Sequence, residues 1–115
     1  MSEHDHQVAL FRWAQLQSAA VPALKLMFAI PNGGARNIVV AGKLKAEGVK
    51  AGVPDILLPI PRGVYHGLFI ELKQPKGRVA PHQAEWIAEL GLQGYRSVVC
   101  YGWEDAKDTI MGYLN

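Results

Sequence analysis

Asp55, Glu71 and Lys73 are the residues of this sequence whose types and spacing suit them to act together on a substrate. Glu71 and Lys73 stand two apart in the apolar run His66 to Lys73, which predicts a strand, so both point to one face while Leu72 points into the opposite layer. Asp55 opens the run Asp55-Ile56-Leu57-Leu58-Pro59-Ile60, a second predicted strand, and a connection containing Pro and Gly joins the two as a hairpin. If that connection closes so that Ile60 lies near Leu68, antiparallel register brings Asp55 to the 71–73 end on the same face. A slip of one residue would send the groups to opposite faces. Two converging carboxylates repel each other and raise one pKa unless a cation sits between them. A hard divalent ion with oxygen ligands, Mg²⁺ or Mn²⁺, is the natural neutraliser, because it accepts a few carboxylates together with water and phosphate oxygens. A lysine beside it can hold or polarise a water that attacks a phosphodiester. The chemistry these three residue types share is therefore directed at phosphate.

The charge distribution points the same way. Residues 36–78 carry eight bases against three acids, although the whole chain has a net charge of only +2. Positive charge concentrated in mid-chain suits a polyanionic partner. Arg36, Lys43, Lys45 and Lys50, after the Gly33-Gly34 turn, form a candidate DNA-contacting stripe, with Asn32 as a further candidate contact. Solvated helix charges and a turn-initiating asparagine are the plainer alternatives.

The elements that must position these groups follow from periodicity and breakers. Val8, Leu10, Phe11, Ala14, Leu16 and Ala19 recur at helical spacing and predict an amphipathic helix over 4–19. Leu24 to Ile30 predicts a strand, stopped by Pro31-Asn32-Gly33-Gly34. Asn37 can cap a second helix running to Glu47, with Gly48 as its stop. After the hairpin, Pro81 opens a helix carrying Gln83, Trp86, Ile87 and Leu90, ended by Gly91 and Gly94. Tyr95 to Tyr101 predicts a strand and Trp103 to Leu114 a last amphipathic helix. The order α-β-α-β-β-α-β-α predicts one α/β sandwich over residues 1–115, a central mixed sheet flanked by helices.

Composition bounds the rest. With 115 residues, half of them hydrophobic and 19% charged, the chain fits one globular domain and excludes disorder, a coiled coil and a two-domain arrangement. Cys100 is the single cysteine, so neither an internal disulfide nor a cysteine-based structural zinc site is available. The polar, acid-bearing Met1 to His6 is unlike a secretory signal, and no apolar run is long enough to span a bilayer, so a cytosolic protein is expected.

The run Gly52-Val53-Pro54-Asp55, followed by Glu71-Leu72-Lys73 and then by Gln83 in the next helix, resembles the PD-(D/E)XK nuclease signature. In particular it resembles the small VRR-NUC family of stand-alone phage and bacterial nucleases, and the likeness extends from the opening Glu3-x-x-x-Gln7 helix through Pro31-Asn32-Gly33-Gly34 and Gln83-x-x-Trp86 to the Gly94-Tyr95 turn. The resemblance implies a restriction-endonuclease-like αβββαβ core. It also implies that Asp55, Glu71 and the main-chain carbonyl of Leu72 bind the metal, with Glu3 reaching the site from the first helix. Lys73 would orient the water or stabilise transition-state charge, and Gln83 would position Lys73 or the water. Stand-alone members resemble homodimers acting on branched DNA such as four-way (Holliday) junctions, in the cytoplasm of a bacterial host.

Plainer roles stand beside these. Asp55 can be a turn residue after Pro54, Glu71 and Lys73 a same-face ion pair contributing about 0–1 kcal/mol, and Gln83 an ordinary first-turn residue. Trp13, Trp86 and Trp103 fit core packing, His82 a helix surface, Cys100 an inert small hydrophobe, and His4 and His6 a mobile N-terminus. Two other functional classes remain: a non-catalytic DNA-binding or recruitment module on the same fold, and a sequence-specific restriction-type enzyme, for which the chain is short.

Overall fold

Ser2 and Asp5 start the first helix. Ser2 Oγ accepts the Asp5 N–H at 3.1 Å and Asp5 Oδ2 accepts the Ser2 N–H at 2.9 Å, a reciprocal cap for two otherwise unpaired donors. The computed structural model describes residues 1–31 and 38–115. In it α1 spans Glu3–Gln17 and buries His6, Leu10 and Ala14, one stripe at four-residue spacing. Val8 and Leu16, which periodicity assigns to the apolar face, are exposed.

The predicted strand over Leu24 to Ile30 is mostly something else. Pro22–Leu26 forms a short 3-10 helix, and β1 is only Phe28–Ala29. Pro22 presets the φ of a tight turn, and N–H groups then bond three residues back, Leu24 to Val21 and Met27 to Leu24. The turn buries Leu24 and Met27 in the core without a ladder. α2 spans Ile38–Ala46, and Gly48 follows it at φ +99°. The expected cap Asn37 lies outside the described residues, as do Asn32 and Arg36. β2 is Ile56–Leu58, β3 Leu68–Lys73, α3 Pro81–Leu92, β4 Arg96–Tyr101 and α4 Trp103–Leu114. Gly91 lies inside α3 rather than ending it, and Gly94, at φ +93°, makes the turn into β4.

The strands form one mixed sheet in the order β1-β2-β3-β4, with β1–β2 and β2–β3 antiparallel and β3–β4 parallel. The hairpin register pairs Ile56 with Ile70 and Leu58 with Leu68, so Leu68 faces Leu58 and not Ile60. That shift is two residues, an even number, and the facing of every side chain is preserved. Leu68, Ile70, Leu72, Ile56 and Leu58 pack with Leu10 and Ala14 of α1 and Ala106 and Ile110 of α4. Each such large side chain contributes roughly 1.5–3 kcal/mol by leaving water. The other face of β3 meets α3, and all six β3 residues are buried. This is the expected α/β architecture with a mixed sheet between helices. Among the described residues no helix is long and apolar enough to cross a membrane.

Candidate active site

β3 supplies Glu71 and Lys73 on its α3-facing side, where Glu71 is 1% and Lys73 6% exposed. Alternation forces this: with Leu68, Ile70 and Leu72 in the apolar layer, residues 71 and 73 must enter the opposite one. Lys73 Nζ lies 3.5 Å from Glu71 Oε2. Asp55 arrives from the residue before β2. Its Oδ2 accepts the Leu72 N–H at 2.8 Å, and its carbonyl accepts the Ile30 N–H at 2.7 Å, which ties the end of β1 to the site. In an extended residue the N–H and C=O point to the same edge, so the Leu72 carbonyl also faces the Asp55 side of β3.

Gln83, in the first turn of α3, has its amide fixed from both ends. Oε1 accepts the Ala80 N–H at 2.9 Å, which leaves Nε2 to donate to Glu71 Oε2 at 3.2 Å. The side chain that Gln83 holds is thus Glu71, where the resemblance implied that it would position Lys73 or the water. The reason is topological: Pro81 starts α3 over the face that Glu71 occupies.

The electrostatics concentrate on Glu71. Burial first, and the Asp55 carboxyl beside it second, push its pKa from the ordinary 4.5 to about 7, while Lys73 pulls the other way. Glu71 Oε2 has partners, but Oε1 is buried with none. A buried carboxylate oxygen without a donor is costly, and a cation of oxygen-loving type satisfies it without adding a proton. The donor set fits such an ion: two carboxyls, a main-chain carbonyl on the same edge, and a lysine outside them.

Other predicted residues stand apart. Glu3 is exposed in the first turn of α1. Among the described residues no three His, Cys, Asp or Glu side chains come together as an ion site, so Glu3 is not brought to the Asp55–Glu71 pair. Lys43, Lys45 and Lys50 are exposed, and Lys50 lines a hollow of about 280 Å³ together with Ile30, Pro31 and Val53, next to the strand entry at Asp55. A larger hollow, about 630 Å³, is lined by Arg62, Tyr65, Arg96, Asp108 and Tyr113 near the start of β3 and holds none of the predicted residues.

Two features escape sequence reading. Gly52, at φ +92°, lies so close to α3 that a Cβ there would stand 2.7 Å from His82 Cδ2 and 2.9 Å from Trp86 Cδ1, which seats the Gly52–Asp55 segment against the helix. His82 is thus a contact of that segment as well as an exposed helix residue. His6 belongs to the buried stripe of α1 rather than to a mobile terminus, and its Nδ1 accepts the Trp103 N–H at 3.1 Å. Its spacing of four from Leu10 was the available signal.

A search of curated proteins finds no match. A solved structure described as a VRR_NUC domain protein is similar to this chain with a TM-score of 0.84 and 32% sequence identity, over 99% of this chain and 88% of that one. The VRR-NUC domain family matches residues 1–104. The Asp55, Glu71 and Lys73 geometry thus sits in a chain that belongs to the VRR-NUC domain family, a family of nuclease type.

Proposed function

We propose that residues 1–115 form one endonuclease unit that hydrolyses phosphodiester bonds of DNA at the Asp55–Glu71–Lys73 site, using Mg²⁺ or Mn²⁺. The observation that carries this reading is the buried, partnerless Glu71 Oε1 beside a second carboxyl. A structural ion pair has no need of that arrangement, since burying charges without full compensation costs several kcal/mol. When bound, the divalent ion supplies positive charge between the carboxyls and lowers the pKa of a coordinated water. Asp55, Glu71 and the Leu72 carbonyl are the groups that would hold it, with Glu3 available only if the first turn of α1 moves toward them.

The chain's own contribution is positional. The Leu72 N–H fixes the Asp55 carboxyl, and Gln83 Nε2 and Lys73 Nζ fix Oε2 of Glu71. Lys73, an ammonium held at the edge of the carboxyls, orients the attacking water and neutralises charge building on the phosphate oxygens as the P–O bond breaks. Lys43, Lys45 and Lys50 hold backbone phosphates beside the site. Branched DNA is the proposed substrate and a homodimer the proposed assembly, because two coordinated cuts in a twofold-symmetric junction need two sites.

The test is a cleavage panel of four-way, flap, splayed and linear DNA with Mg²⁺, Mn²⁺ or chelator, with mass measured by sedimentation. Asp55→Ala, Glu71→Ala and Lys73→Ala should each remove cleavage and leave much of the DNA binding. Wild-type protein that binds junctions tightly yet never cuts them with either ion would establish the recruitment-module alternative instead.

A further inference from the structure

His6 is 6% exposed in the packing of α1 and takes no part in the chemistry above. Its Nδ1 accepts the main-chain N–H of Trp103 at 3.1 Å, so the ring's proton resides on Nε2. Trp103 is the first residue of α4, where an N–H has no partner within the helix. The N-cap residue, Gly102, has no side chain to offer the first turn and sits at φ +92°. An imidazole from α1 thus takes the N1 amide, which a local N-cap side chain does not ordinarily reach. Gly102 in turn donates its own N–H to the carbonyl of Lys73 at 2.7 Å, extending the β3–β4 ladder past Tyr101. Two residues beyond Lys73 stands Pro75, which has no N–H, so this bond is the ladder's last hold on the lysine's main chain. A Cβ on Gly102 would meet His6 Cε1 at 3.6 Å, ordinary van der Waals contact, so the ring packs beside the turn.

We propose that His6 is a positioning residue for Lys73. By capping α4 it locks the Gly102–Trp103 turn, the turn holds the Lys73 carbonyl, and the strand end so fixed sets the reach of the ammonium toward Glu71. The inference rests on the reading of Lys73 as a catalytic group. A side chain that merely fills space and one that supplies an acceptor are separated by two substitutions. His6→Leu fills the site and accepts nothing. His6→Asn is smaller but places Oδ1 where Nδ1 stands.

The measurements are amide hydrogen exchange at Gly102 and Trp103, and kcat and KM for cleavage well below the unfolding temperature of each variant. His6→Leu should speed exchange of both amides roughly tenfold or more, the scale set by leaving a buried donor unpaired. It should lower kcat by a comparable factor with KM nearly unchanged, and His6→Asn should recover most of both losses. The opposite pattern, a fast His6→Leu enzyme with slow exchange and an impaired His6→Asn, overturns the proposal and makes His6 a packing residue. A wild-type chain that cuts no DNA defeats the hydrolase reading alone. The exchange comparison decides the lock on the Lys73 main chain whichever way cleavage turns out.

Discussion

Replacing Glu71 with Gln should abolish cleavage and yet make the metal-free protein more stable at alkaline pH. The folded protein holds the Glu71 pKa at about 7 against an ordinary 4.5, chiefly through burial and then through Asp55. Between those values the folded chain binds more protons than the unfolded one, so stability falls as pH rises from 4.5 to 7 and is flat above. At about 1.4 kcal/mol per pKa unit, the ionised carboxylate costs the fold about 3 kcal/mol above pH 7. Gln is the uncharged isostere. Its oxygen can keep accepting from Gln83 Nε2 and Lys73 Nζ, and its amide nitrogen takes the place of the partnerless Oε1 and turns to the Asp55 carboxylate. Scanning calorimetry at pH 8 with chelator should therefore place Glu71→Gln roughly 10 °C above wild type, and the two curves should merge at pH 4.5. Millimolar Mg²⁺ should raise wild type and leave the variant unmoved, because only a ligand bound to the folded state shifts the transition. A variant that is no more stable at pH 8, or whose advantage ignores pH, would refute the account of Glu71 as a strained, cation-seeking carboxylate.

Gly52→Ala forces a Cβ into His82 and Trp86 from a positive-φ backbone, and urea unfolding should show a loss of about 1–3 kcal/mol. Because Gly52 seats the segment leading to Asp55, cleavage should drop with it. Exchanging Lys43, Lys45 and Lys50 for Ala should weaken DNA binding for all sequences alike, and fluorescence anisotropy across salt should show the log–log slope reduced by about one per lysine. Leu58→Ala, in the fully buried layer under α1 and α4, should cost about 2–5 kcal/mol without changing the pH dependence that Glu71 imposes.

Local signals carried much of the fold. The Pro81 start, the positive-φ turn at Gly94 and the Trp103 to Leu114 periodicity are short-range features, and the elements they predict are the elements observed. Where local and long-range demands conflict, local reading failed. Leu24 to Ile30 is apolar enough for a strand, but Pro22 favours a turn and the core accepts Leu24 and Met27 from it. Val8 and Leu16 fit a helical period, whereas the face that packs on the sheet is the one carrying His6.

For the candidate site, the sequence by itself determined that Glu71 and Lys73 share a face, since a strand's period of two allows nothing else. The residue types there, a carboxylate and an ammonium, are the basis on which the proposed cation and phosphate chemistry rests. Only the tertiary structure decided that Asp55 joins them. That depended on the parity of a hairpin register, and the register is set by how Ile56 and Leu58 meet Ile70 and Leu68 in a layer closed by α1 and α4. It decided as well that Gln83 holds Glu71 and that His6 reaches Trp103, contacts between groups 12 and 97 positions apart. No periodicity spans such separations; they follow from packing, which selects among the arrangements that local preference leaves open.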